Sequence, residues 1–324
     1  MSTIKDISKL AGVSMTTVSR VLNHDETLAV TPQVKNNIFK IAHQLRYVPP
    51  RKRKATVGQT VKIGIADWHI VRVDRPNIQI ASLDCIAREI GSADNVRFFR
   101  ILPGEHQCFD GIIAFGSYTE EEMEQLRTQS HAIVFVNSDK KDYAYSRIVM
   151  DFTEGLCNML EYLITQKGYE TIGYIGGIYK DGNLCIGSHR MDGLRELLEQ
   201  AGKYSPDTFH VGEISRESGY LLAKEAIAHG GLAQAMLLGS DEVAEGALDA
   251  FREAGLRVPE DVAVVIYKDI ETLQSKWPTY TSIRMFPEVV WRTAIQLLLD
   301  HISDTTKETM TICLPTKLQV GDSA

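Results

Sequence analysis

Six near-continuous apolar runs recur from residue 61 onward: "VKIGIAD" (61–67), "FDGIIAFG" (109–116), "AIVFVNS" (132–138), "TIGYIGG" (171–177), "AMLLGSD" (235–241) and "VAVVIY" (262–267). A strand with one wet face alternates apolar and polar residues, whereas runs of this kind suit parallel strands buried on both faces. Parallel neighbours need long crossovers, and stretches such as "TEGLCNMLEYLITQKG" (153–168) and "EVAEGALDAFREAG" (242–255) carry helical spacing between the runs. Residues 61–324 therefore read as a doubly wound α/β body, with ligands expected beyond the carboxyl ends of its strands. Asp67, Asn137, Ser240, Asp241, Glu242, Lys268 and Asp269 stand at those ends. Each is a candidate ligand contact, and each has the alternative role of capping the helix that follows.

The first 48 residues follow a different pattern. Thr3 is placed to cap a helix, with Asp6 three positions on in a capping-box arrangement and Ile4, Ile7, Leu10 and Ala11 as the apolar stripe. Gly12 supplies a turn, Ser14 caps a second helix, and Val18, Val21 and Leu22 face inward. Thr31-Pro32 opens a third helix, whose buried face is Val34, Ile38, Ile41, Ala42 and Leu45. Two helices joined by a tight glycine turn and braced by a third make a helix-turn-helix head. Met15, Thr16, Ser19 and Arg20 are left facing outward, where hydroxyls and a guanidinium suit phosphate oxygens and base edges in a major groove.

Charge divides in the same place. Residues 1–58 hold ten Lys and Arg against three Asp and Glu, and the remainder 25 against 39, for a net charge of −7. A basic head on an acidic body is the asymmetry expected when only the head meets a polyanion. Residues 49–60, within "VPPRKRKATVGQT", form a hinge in which two prolines forbid helix continuation and Arg51, Lys52, Arg53 and Lys54 run consecutively. That segment reads either as a flexible tether or as one that orders against DNA.

Other classes find no support. No apolar run is long enough to span a membrane, and "MSTIKDISKL" lacks the core of a signal peptide. The five cysteines are odd in number and scattered, which points to a reduced, cytoplasmic protein without a disulfide frame. No dinucleotide, Walker, zinc-protease or nucleophile-elbow motif occurs, so no catalytic residue, metal site or cofactor is expected. "GYIGG" lacks fingerprint spacing and is expected to end a strand closely packed on a helix.

"TIKDISKLAGVSMTTVSRVLN" followed by "RYVP" resembles the head of the lac repressor and galactose repressor family of bacterial regulators. The resemblance continues through "HRMDGL", "SGYLLAKEAI", "AMLLGSDEVAEGALDAFREAGLRVPEDVAVV", "PTYTSIR" and "LPTKL", and the "TPQVKNNI" segment is similar to repressors of β-galactoside utilisation. It implies a homodimer on palindromic operator DNA and a type I periplasmic-binding-protein-like body of two parallel-sheet subdomains. These would span about 61–152 with 286–310, and about 153–285 with 311–324. A sugar or sugar-derived effector would bind between them and release the DNA. Carried over by position, Met15, Thr16 and Arg20 read bases, while Ser14, Thr17, Ser19, Asn23 and Tyr47 hold phosphates. Arg190 binds sugar hydroxyls, joined by Asn137, Ser240 and Glu242.

Three departures from the family pattern stand out. Thr56, with Val57 beside it, takes the place of the leucine that wedges into the minor groove, shifting the expected hinge contacts toward Arg51–Lys54. Lys268 replaces an aspartate, and is expected either to pair with Glu242 or to meet an anionic effector such as a sugar phosphate. Ile214 replaces an aromatic, a role that Trp68 or Trp277 would have to fill. The chain stops at Ala324 with no leucine-heptad tail, so a dimer is expected rather than a tetramer. The competing readings are a regulator whose effector is not a sugar, and a sugar-binding α/β protein with an unrelated basic head.

Overall fold

The computed structural model describes residues 3–22, 28, 30–45, 47, 60–67, 80–89, 96–102, 104, 107–138, 145–181, 184–268, 279–303, 305 and 308–324. The head is three helices, α1 (Ile4–Ala11), α2 (Met15–Leu22) and α3 (Pro32–Gln44). Each begins where a side chain satisfies a backbone N–H that the helix leaves over. Thr3 and Asp6 close a reciprocal capping box, the Asp6 carboxylate accepting from the Thr3 N–H at 2.8 Å. Ser14 Oγ accepts from the Thr17 N–H at 3.0 Å, and Thr31 Oγ1 from the Val34 N–H at 3.4 Å. Gly12 ends α1 with φ 66°, a left-handed conformation that a side chain would strain.

Ile7, Val18, Val21, Leu22, Ile38, Phe39, Ile41, Ala42 and Tyr47 form the head's core. One expectation fails here: Leu10, placed on the buried stripe by its spacing, is 62 % exposed. Eight residues make little more than two turns, and the small core is filled from α1 by Ile7, with Ile4 and Ala11 packed at its margin.

The chain divides into two compact units, Met1–Val149 with Glu288–Ile312 and Met150–Pro287 with Cys313–Ala324. The first holds, besides the head, strands β1 (Val61–Asp67), β2 (Val96–Arg100), β3 (Gly111–Phe115), β4 (Ile133–Val136) and β5 (Ser146–Asp151). Its helices are α4 (Ile80–Glu89) and α5 (Glu120–Gln129). The sheet order is β2-β1-β3-β4-β5, extended by β13 (Thr311–Pro315), and the first five strands pair in parallel.

The second unit repeats the plan. Its strands are β6 (Ile172–Gly177), β9 (Phe209–Gly212), β10 (Ala235–Leu238), β11 (Ala263–Tyr267), β12 (Ser282–Arg284) and β14 (Lys317–Gln319). Their order is β9-β6-β10-β11-β12-β14. Helices α6 (Thr153–Leu160), α7 (Ser188–Gln200), α8 (Arg216–His229) and α9 (Asp241–Glu253) belong to this unit, and α10 (Pro287–Ile302) lies almost wholly in the first. All six predicted strands form.

The sheets are not purely parallel: β14 runs antiparallel to β12, and β7 (Tyr179–Asp181) with β8 (Leu184–Ile186) makes a separate antiparallel ribbon. Such an antiparallel edge on a doubly wound sheet is common. The helix predicted over 153–168 ends in a π-helical turn, Glu161–Gln166, where the Lys167 N–H reaches back five residues to the Tyr162 carbonyl at 3.0 Å. The Tyr162 hydroxyl in turn donates to the Ala324 carbonyl at 2.7 Å. Among the described residues, no helix is long and apolar enough to cross a membrane.

"GYIGG" packs closely: strand β6 lies against helices α7, α8 and α9, and its last glycine also meets a loop. A Cβ at Gly177 would stand 2.4 Å from the backbone of Glu213 and Ile214, the loop after neighbouring strand β9. Backbone cannot swing aside as a side chain does. Gly177→Ala is therefore expected to lower stability by about 1–3 kcal/mol, read as a lower urea midpoint for the full chain with an unchanged slope.

Candidate nucleic-acid interface and ligand site

In the head, Val18, Val21 and Leu22 anchor α2 on the core, so that its opposite face is fixed in the open. Met15, 54 % exposed, and Thr16 stand fully outward, while Thr17, Ser19 and Arg20 are half-buried along the same helix. The Ser14 and Thr17 hydroxyls are 2.9 Å apart. Whichever donates to the other, one hydroxyl hydrogen of the pair remains for an outside acceptor. No acidic residue enters the first turn of α2, and Arg20 stands in its last. Hydroxyls at a helix N-terminus and a guanidinium two turns on form a surface suited to an anion.

Tyr47, expected at a phosphate, has its ring in the head's core at 6 % exposure. Asn23 and the hinge residues Arg51, Lys52, Arg53, Lys54, Thr56 and Val57 lie outside the described residues, as do Trp68, Asp269 and Trp277.

The second unit gathers four of the five expected ligand residues at the carboxyl edge of its sheet. Arg190 comes from the first turn of α7, and one of its N–H groups donates to the Gly239 carbonyl at 2.8 Å, just beyond β10. Ser240 follows and caps α9, its Oγ accepting from the Val243 N–H at 3.2 Å. Capping is thus the role this serine already fills. Glu242 sits half-buried in the first turn of α9. Lys268 follows the last residue of β11, its N–H bonded to the Ile283 carbonyl at 3.1 Å. Between β6 and β10 the strand order reverses, the place where an open α/β sheet leaves a crevice.

Asn137, the fifth, belongs to the first unit and follows β4 with φ 55°. Its N–H donates to the Ile148 carbonyl at 2.9 Å. A non-glycine residue held in the left-handed region is uncommon, and asparagine tolerates it best. Buried Asp67 ends β1 and buried Ser138 lies two residues beyond β4, with β3 between these strands in the sheet, and Arg100 is 3.8 Å from the Asp67 carboxylate.

Burial and two neighbouring charges set the electrostatics of Lys268. At 7 % exposure, its ammonium is held below the ordinary lysine value by burial first and by the charge of Arg284 second. A carboxylate that pulls the other way is Asp241, buried at the start of α9, with Glu242 half-buried next to it in the chain.

Sequence reasoning also missed what surrounds Arg190. Its guanidinium carbon lies 5.5 Å from the Phe152 ring centroid and 5.3 Å from that of Tyr267. The only available signal was adjacency, since Tyr267 directly precedes Lys268.

Residues 3–50 match the family described as "Bacterial regulatory proteins, lacI family", and residues 161–324 match a "Periplasmic binding protein-like domain". The HTH-type transcriptional repressor MelR of Bacillus subtilis (strain 168) is 32 % identical over 338 residues, covering 100 % of this chain and 97 % of that protein. Among solved structures, the transcriptional regulator CelR–cellobiose complex superposes with a TM-score of 0.65 at 23 % identity, covering 100 % of both chains. The lac repressor dimer bound to operator and the anti-inducer ONPF gives 0.63 at 21 %, covering 99 % of this chain and 98 % of that one.

The depressed titration of Lys268 has a measurable consequence. Between its folded value and the ordinary 10.5, the unfolded chain holds a proton that the folded chain has released. Stability contributed by this group therefore rises with pH across that window. Thermal unfolding of the full chain and of Lys268→Met, compared across alkaline pH, should show the rise in the former and lose it in the latter. Parallel curves would mean that Lys268 titrates normally.

Proposed function

The chain belongs to the LacI family of bacterial regulatory proteins, and on that footing we propose that it represses a carbohydrate-utilisation operon and leaves its operator when a small sugar binds the body. The observation that carries this reading is the α2 surface: a capped recognition helix after a glycine turn, with Met15 and Thr16 outward and Arg20 on the same element. Met15, Thr16 and Arg20 read base edges, and Ser14, Thr17, Ser19 and Asn23 hold phosphates. Tyr47 braces the third helix from within the core, its N–H bonded to the Ala42 carbonyl at 2.9 Å. The basic run Arg51–Lys54, with Thr56 and Val57, follows the DNA between the heads of a homodimer whose operator is palindromic.

In the body, Arg190 offers a planar fork of donors to vicinal hydroxyls, with Asn137, Ser240 and Glu242 as further polar contacts. A galactoside is the sugar that the resemblance to β-galactoside repressors favours. Binding is reciprocal: whatever factor the effector takes from DNA affinity, DNA takes from effector affinity. A second reading rests on Lys268, just past β11, and Arg284, the last residue of neighbouring β12: two cations at adjacent strand ends also suit a phosphorylated sugar.

The deciding experiment measures binding to DNA flanking the gene, with and without galactose, lactose, a pentose and a sugar phosphate. Release by lactose supports the galactoside reading, and release by the sugar phosphate alone replaces it with the anionic one. Absence of DNA binding under all conditions would overturn the repressor assignment for this chain. Arg20→Ala should cost roughly 1–3 kcal/mol and relax preference at one base pair per half-site. A uniform loss on all sequences would make Arg20 a phosphate contact.

A further inference from the structure

Arg190 is held from three sides within the second unit. One guanidinium N–H donates to the Gly239 carbonyl at 2.8 Å. The Phe152 and Tyr267 rings lie 5.5 and 5.3 Å from the guanidinium carbon, and meet each other edge to face at 5.4 Å and 87°. Phe152 precedes α6 and Tyr267 ends β11, so separate elements supply the two rings. Such contact between a cation and a ring face strengthens as water is excluded, and Tyr267 is fully buried. Among the described residues its hydroxyl has no hydrogen-bond partner. The contribution of this residue therefore lies in its ring and not in its oxygen.

We propose that Tyr267 is a positioning residue for ligand recognition: with Phe152 it fixes the plane of the Arg190 guanidinium, so that the donors meet a ligand already ordered. The inference rests on the reading of Arg190 as an effector contact. A long, unconstrained arginine must be ordered by its ligand at the expense of affinity, and a guanidinium held against two rings has been ordered during folding. The ring is the working part, so phenylalanine should serve and leucine should not.

Two measurements on the full chain separate the clamp from the ligand reading. The first needs no ligand: the rate at which phenylglyoxal modifies Arg190, followed by peptide mass spectrometry. It should rise several-fold in Tyr267→Leu and stay within about twofold in Tyr267→Phe. Equal rates in Tyr267→Leu and the unaltered chain would overturn the proposal. If circular dichroism shows Tyr267→Leu unfolded, Phe152→Leu takes its place under the same criteria.

The second is a calorimetric titration with lactose. Affinity should fall at least about tenfold in Tyr267→Leu and hold in Tyr267→Phe. Combining Tyr267→Leu with Arg190→Lys should cost no more than Arg190→Lys alone, because the ring acts only through that arginine. Additive losses would overturn the positioning role. If lactose binds neither the unaltered chain nor any variant, or binds Arg190→Lys undiminished, the reading of Arg190 as a galactoside contact fails, and the modification rates still decide the clamp.

Discussion

In the ladder of β6, β10 and β11, every residue from Ile172 to Gly177, Ala235 to Leu238 and Ala263 to Tyr267 is buried. Parallel strands satisfy their backbone only by pairing with one another, and helices cover both faces. Polar side chains are therefore excluded from the strands and pushed to the ends. Ser240, Asp241 and Lys268 all follow within three residues of a strand's last position, and all are buried. Burial at such a position has to be compensated by capping, by pairing or by a ligand. Ser240 is compensated by its cap and Lys268 partly by Asp241, while the Tyr267 hydroxyl has no partner among the described residues.

The arginine at this edge is what converts a structural necessity into a recognition surface. Gly239 lacks a side chain, and a Cβ there would stand 2.5 Å from the Tyr174 hydroxyl. The carbonyl of this same residue accepts the Arg190 guanidinium N–H at 2.8 Å, so close packing of the strand ends and seating of the guanidinium meet at one position. Lys268 lies one residue along the chain from the ring that holds Arg190, so the edge carries two cations of different character: one delocalised and stacked, one compact and costly to bury.

Legibility in the sequence followed the length scale of each interaction. The head's caps were readable because Thr3–Asp6, Ser14–Thr17 and Thr31–Val34 are contacts three residues apart, encoded locally. The six central strands were readable because burial on both faces leaves an unbroken apolar run. Strand β2, "VRFFR", alternates buried and exposed residues, and β12 and β14 span three residues each. Neither pattern leaves a run to detect. The charge that Asp241 adds beside Lys268 was not legible, because sequence places Asp241 and Glu242 side by side and only the turn of α9 buries the first of them. Leu10 shows the same limit, since a helix of eight residues buries only what its neighbours can cover.

The two halves of the chain also differ in how much they can hold on their own. The head's core is nine buried side chains, whereas the second unit alone carries two clusters around one sheet. A domain of fewer than fifty residues buries a smaller fraction of its surface and is correspondingly marginal. Coupling between two ligands of a regulator amounts to about 1–3 kcal/mol, a large share of the stability such a head has available. Bending a single parallel ladder would break backbone pairing, so rearrangement within a sheet is the costlier response. On the proposed function, a signal from the ligand edge is therefore best spent on the arrangement of the small basic heads, where modest free energy suffices to change the affinity for DNA.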